Sequence, residues 1–72
     1  MKAIIINNEI KFDEYALSLA EMGYELGDEV EVFELDVNYF INAKKNIVID
    51  GIVAIYEGEE VYVTKDEIEV LA

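Results

Sequence analysis

A chain of 72 residues with no cysteine and no histidine must hold its fold together by packing alone. Disulfides, thiolate zinc sites and imidazole ligands are the usual staples of domains this small, and this sequence excludes all of them. A single core of this size gives only marginal stability, so compensation has to come from dense packing or from self-association. The composition suits that demand, because 54% of the residues are hydrophobic, far more than a disordered acidic tail carries. The apolar surplus, with Phe12, Phe33, Phe40 and five tyrosines, exceeds what one small core can cover. A single domain over residues 1–72 that forms a homodimer is therefore expected.

Residues 2–6 are a β-branched run and residues 9–12 alternate, with Asn7-Asn8 between them, which predicts a hairpin with a two-residue turn. Asp13 is a good N-cap, and Ala16, Leu17, Leu19 and Ala20 follow at helical spacing. The spacing predicts one helix over 14–22, closed by Gly23 at C′. Gly27-Asp28 then leads into Glu29-Val30-Glu31-Val32, a strict alternation that places the valines on one face and the glutamates on the other. Phe33, Leu35 and Val37 reverse that phase, which calls for a bulge near Val32-Phe33 or for burial of both faces. Asn42 to Asn46 reads as a polar turn, Ile47 to Tyr56 as one long strand bent at Gly51, and Glu57 to Glu60 as a second turn. Val61 to Thr64 returns antiparallel, Thr64 and Glu67 have capping-box spacing, and a last strand covers Glu69 to Leu71. The order ββαβββ gives an α+β fold, an antiparallel sheet of about five strands with one short helix, or else a partly closed barrel.

The net charge of −12 is concentrated in two stretches. Residues 1–20 contribute −1, residues 21–36 contribute −7, residues 37–56 contribute +1 and residues 57–72 contribute −5. A charge of this sign repels nucleic acid and anionic membranes and attracts basic partners. Alternate strand residues repeat at roughly 6.6 Å on one side, so Glu29-Glu31 and Glu34-Asp36 are expected to form rows of regularly spaced carboxylates. Ordinary surfaces mix both signs, whereas residues 21–36 hold seven acids and no base.

From Gly27 onward, Gly27-Asp28-Glu29-Val30-Glu31-Val32, Gly51-Ile52-Val53, Val61-Tyr62-Val63 and Ile68-Glu69-Val70-Leu71 resemble the pattern of SH3-like barrel domains. That resemblance implies a partly closed SH3-like barrel and a protein-interaction or assembly module that recognises a protein segment through its aromatic residues, Tyr39 among them. Tyr39 and Phe40, beside Asn38 and Asn42, are equally candidates for dimer contacts. In size, charge density and β-rich outline the whole chain resembles small acidic phage proteins that mimic DNA, among them the inhibitor of the bacterial histone-like protein HU. This second resemblance implies occlusion of a basic DNA-binding host protein, HU or a relative, in the host bacterial cytoplasm. The residues expected to carry it are Glu21, Glu25, Asp28, Glu29, Glu31, Glu34 and Asp36 in the first block, and Glu57, Glu59, Glu60, Asp66, Glu67 and Glu69 in the second.

Catalysis is not expected. A nucleophilic triad needs a base of suitable pKa, usually His, beside Ser, Cys or Thr, and the only serine is Ser18. A glycosidase-type carboxylate pair needs a cleft and a buried acid, which a domain this small rarely has. No phosphate-binding glycine loop or calcium loop is present, so neither cofactor nor metal is expected. Five lysines against seventeen acids disfavour direct nucleic-acid binding. Met1-Lys2 followed only by Ala3 to Ile6 falls far short of a signal sequence or a membrane span, and the chain reads as cytoplasmic.

Overall fold

Eight short strands make up the regular structure of residues 1–71, the part of the chain that the computed structural model describes. They are β1 Lys2–Ile5, β2 Glu29–Glu31, β3 Phe33–Leu35, β4 Asn38–Asn42, β5 Ile47–Ile49, β6 Ile52–Ile55, β7 Glu60–Val63 and β8 Ile68–Val70. Three antiparallel sheets result, in the orders β2-β1-β8, β3-β4-β7 and β5-β6. The fold is all-β. The expected α+β architecture with a helix is therefore incorrect, and the sheets do not close into a barrel.

The helix expected over 14–22 is replaced by two separate turns, because each polar cap closes a turn of its own. Asp13 Oδ1 accepts from the amides of Tyr15 and Ala16 at 2.7 and 2.9 Å, so the cap forms as its sequence suggests. The helix does not propagate. Five residues on, Ser18 and Glu21 make a reciprocal capping box: the Ser18 amide donates to Glu21 Oε1 at 2.9 Å and the Glu21 amide donates to Ser18 Oγ at 3.2 Å. Serine that bonds the backbone locally competes with helix continuation, and a nine-residue helix is marginal in water without a packed face. Gly23, at φ +93°, still closes the second turn, with the Tyr24 amide reaching back to the Leu19 carbonyl at 3.0 Å.

The hairpin expected at residues 2–12 does not form, because β1 is paired on both sides by distant strands, β2 and β8. Asn7 and Asn8 fasten the long 6–28 loop. Asn7 Oδ1 accepts from the Glu9 amide at 3.0 Å, and Asn8 Nδ2 donates to the Tyr24 carbonyl at 2.9 Å. The loop contributes Leu19, Met22 and Tyr24 to the core, where they join Ala3, Ile5, Val32, Ile41, Val63 and Ile68. Val32 is buried at the break between β2 and β3. The phase reversal there transfers the chain from the first sheet to the second.

Ile47 to Tyr56 is not one strand. Asp50 and Gly51 both have positive φ, 52° and 79°, as a two-residue type I′ turn requires, and they join β5 to β6. The expected turn at Glu57–Glu60 is likewise no reversal. There the Gly58 amide donates to the Ala43 carbonyl and the Ala43 amide to the Glu59 carbonyl, at 2.7 and 2.8 Å, so one long hairpin runs from Asn38 to Val63 with an irregular joint at its middle. Thirteen residues per arm at roughly 3.3 Å each give about 40 Å, which matches the 40 Å long axis of a molecule 20 Å across. Gly51→Val is expected to strain this turn by about 1–2 kcal/mol. Hydrogen exchange should show lost protection over residues 47–55 with β1 and β4 unchanged, whereas unchanged protection in β5 and β6 would exclude the turn described.

Candidate functional site

The first acidic block lies against the chain's own cations. Glu29 and Glu31 project from the outer face of β2, opposite Ile4 and Lys2 of β1. Lys2 Nζ lies 3.1 Å from Glu29 Oε1, and the Met1 amino group donates to Glu31 Oε1 at 3.1 Å. Lys11 Nζ is 3.6 Å from Glu21 Oε1 and Lys44 Nζ is 4.0 Å from Asp28 Oδ2. Lys45 passes over Gly23 so closely that a Cβ there would meet its Cε at 2.8 Å. Four of the five lysines are thus turned toward residues 21–31, which carry the five acids Glu21, Glu25, Asp28, Glu29 and Glu31. Exposed pairs of this kind contribute at most about 1 kcal/mol each. Their consequence is electrostatic: within the stretch that is most negative in sequence, residues 21–31 are largely offset by these cations, while Glu34 and Asp36 form no ion pair among the described residues.

Local bonding agrees with that picture. The Ser18 amide, and then Lys11, hold the Glu21 carboxyl below its ordinary pKa despite some desolvation, while the hydrogen bond and charge of Glu29 raise Lys2. The Asp28 carboxylate is also engaged by the Glu25 amide, at 2.8 Å. Burial pushes the Tyr24 phenol up, and its hydroxyl donates to the Asn42 carbonyl at 3.1 Å.

The remaining acids are distributed differently from expectation. Asp36 sits in the β3–β4 turn with φ 59°, so Glu34 and Asp36 do not form a strand row. Glu57 and Glu59 lie at the hairpin joint, Glu60 points outward on β7 opposite Asn42, and Asp66 lies in the turn before β8. Glu69 faces out on β8 across Ile4, in the same cross-strand row as Glu29. The two acidic segments therefore meet on the outer face of β2-β1-β8, beside Lys2. Glu67 is only 2% exposed, and its carboxylate accepts from the amide and hydroxyl of Thr64 at 2.9 and 3.2 Å. It closes the 64–67 turn and is buried away from any partner. Outside residues 21–31 the other eleven acids are exposed, and Lys65 is the one lysine not turned toward 21–31.

A second surface was not legible as one unit in the sequence. The register Phe33↔Phe40↔Tyr62 lays three aromatic rings side by side on the outer face of β3-β4-β7. Ring centroids are 5.8 Å apart from Phe33 to Phe40 and again from Phe40 to Tyr62, and Phe12 extends the row from the 6–28 loop at 5.7 Å from Tyr62. Tyr39, expected at a contact surface, instead packs against the core. A cavity of about 310 Å³ opens between Tyr24, Asp28, Val30, Glu31, Ile41 and Lys44. Among the described residues no three His, Cys, Asp or Glu side chains are grouped to hold a metal ion.

Comparison with protein-family models, with curated proteins and with solved structures gives no match. Among the described residues no helix is long and apolar enough to cross a membrane.

Proposed function

We propose that this domain acts by binding, without catalysis, and that it takes a basic protein whose own ligand is nucleic acid. The observation that carries this reading is the segregation of charge: four lysines are gathered on residues 21–31, and elsewhere eleven exposed acids stand against Lys65. A field of one sign steers an oppositely charged partner and repels nucleic acid. The length of the molecule supports competition with a duplex, since 40 Å corresponds to roughly twelve base-pair steps. The charge is sparser than a duplex, however. DNA of that length carries about 24 phosphates against a net −12 here.

The partner class is thus a DNA-binding protein that neutralises phosphates with lysine and arginine, with the histone-like protein HU as the first candidate. Binding is expected at low salt, with duplex DNA displacing the domain at comparable charge concentration. Titration of the domain into fluorescently labelled HU, repeated with competing duplex, measures both. Binding that excess duplex leaves intact would rule out a shared surface.

A further inference from the structure

We infer that the outer face of the β3-β4-β7 sheet is the docking surface, and that its occupant is an extended protein segment carrying arginine. The inference rests on the preceding reading of a basic partner and locates that partner on the domain. Phe33, Phe40, Tyr62 and Phe12 form one continuous row across three strands and a loop. Two of them remain wide open, with Phe12 53% and Tyr62 44% exposed, and Leu35 beside the row is 54% exposed. Contiguous exposed aromatic surface on so small a domain marks an interaction site.

Charge selects the occupant. Glu60 stands on the same face as Tyr62, two residues along β7. Asp13 and Glu14 follow Phe12 directly in the chain, and Asp36 follows Leu35. Four of the five lysines are engaged on another part of the molecule: Lys2, Lys44 and Lys45, and also Lys11 beside Phe12 in the chain, are turned toward residues 21–31. An aromatic row on a sheet is also what stacks the bases of single-stranded nucleic acid, but acids flank this one, so the phosphates would be repelled. Arginine satisfies both features: its guanidinium stacks flat on aromatic rings and pairs with carboxylates in a fork geometry that lysine lacks.

The test uses the intact protein and two labelled peptides of equal charge, one alternating arginine with valine and one alternating lysine with valine, with single-stranded oligothymidine as a third ligand. The arginine peptide is expected to bind at least threefold more tightly than the lysine peptide. Phe12→Ala combined with Tyr62→Ala should abolish that preference, and Glu29→Gln, on the other sheet, should leave it intact. Should the double variant fold poorly, NMR of the wild-type protein serves in its place, with ring signals of Phe12, Phe40 and Tyr62 shifting on addition of the arginine peptide. Equal, salt-dependent binding of both peptides, or binding indifferent to the aromatic substitutions, would overturn the docking surface while leaving the basic-partner reading in place. Loss of salt dependence would overturn that reading as well. Oligothymidine binding that disappears in the double variant would reassign the strip to nucleic acid.

Discussion

Leu19→Ala is expected to unfold a large part of the population at physiological temperature. Leu19 is 1% exposed and belongs to the 6–28 loop, a stretch of 23 residues without a strand or helix. A loop of that length is normally mobile or functional. This one is seated because Leu19, Met22 and Tyr24 supply its share of the core. Truncating a fully buried leucine costs about 2–5 kcal/mol, part of it from the cavity left behind. A single core of this size supplies little more than about 3–5 kcal/mol in total, so one substitution consumes most of it. Urea unfolding followed by circular dichroism measures the loss. Leu26→Ala, in the same loop but 63% exposed, should stay within about 0.5 kcal/mol of wild type. Equal effects at the two positions would mean that the loop is not anchored as described.

Two triple substitutions with the same change in net charge are expected to differ sharply in binding. Glu57→Gln, Glu59→Gln and Glu60→Gln remove charge from the hairpin joint, where no lysine forms an ion pair. Glutamine keeps an acceptor for the Tyr56 amide that Glu59 engages at 3.3 Å. If each of these charges contributes about 0.5–1 kcal/mol toward a basic partner, the triple variant loses roughly 10–100-fold in affinity. Glu25→Gln, Glu29→Gln and Glu31→Gln remove charge from the segment that the chain's own cations face: Met1 and Lys2 pair with Glu31 and Glu29, and Lys44 pairs with Asp28, whose carboxylate accepts from the Glu25 amide. That variant should remain within about threefold of wild type. Fluorescence anisotropy against one basic DNA-binding protein at fixed low salt compares the pair, and equal losses would show that net charge alone matters.

The separation of these two sets was invisible along the chain, and the reason is topological. Residues 21–36 hold seven acids and no base, so in sequence they look like the dominant negative surface. Folding brings Lys2 in by pairing β1 with β2, and Lys44 and Lys45 in by laying the hairpin joint beside Tyr24. Those contacts are between residues distant in sequence, which a local pattern does not encode. The same limit explains the absent hairpin at residues 2–12, where partners 24 or more residues away outcompeted the neighbouring segment.

Other features were legible. The phase change at Val32-Phe33 did mark an interruption in the strand, and Thr64 and Glu67 do close a turn, with the Glu67 carboxylate accepting from the Thr64 amide and the Glu67 amide donating to the Thr64 carbonyl. The helix failed although its cap and its stop both formed, because Ser18 ended the first turn before a second could build on it. Asp50-Gly51 between β-branched runs is among the strongest short-range hairpin patterns, and it outranked the continuity of Ile47 to Tyr56. The aromatic row needed the β3–β4 and β4–β7 registers together, which follow only once the long hairpin is recognised.

The distribution of charge is most directly tested by the salt dependence of affinity for a basic DNA-binding protein, measured for wild type and both triple variants between about 50 and 200 mM monovalent salt. The plot of log affinity against log salt should be steep for wild type, equally steep for the 25/29/31 variant and clearly shallower for the 57/59/60 variant. A slope that flattens for the 25/29/31 variant and not for the 57/59/60 variant would contradict the account.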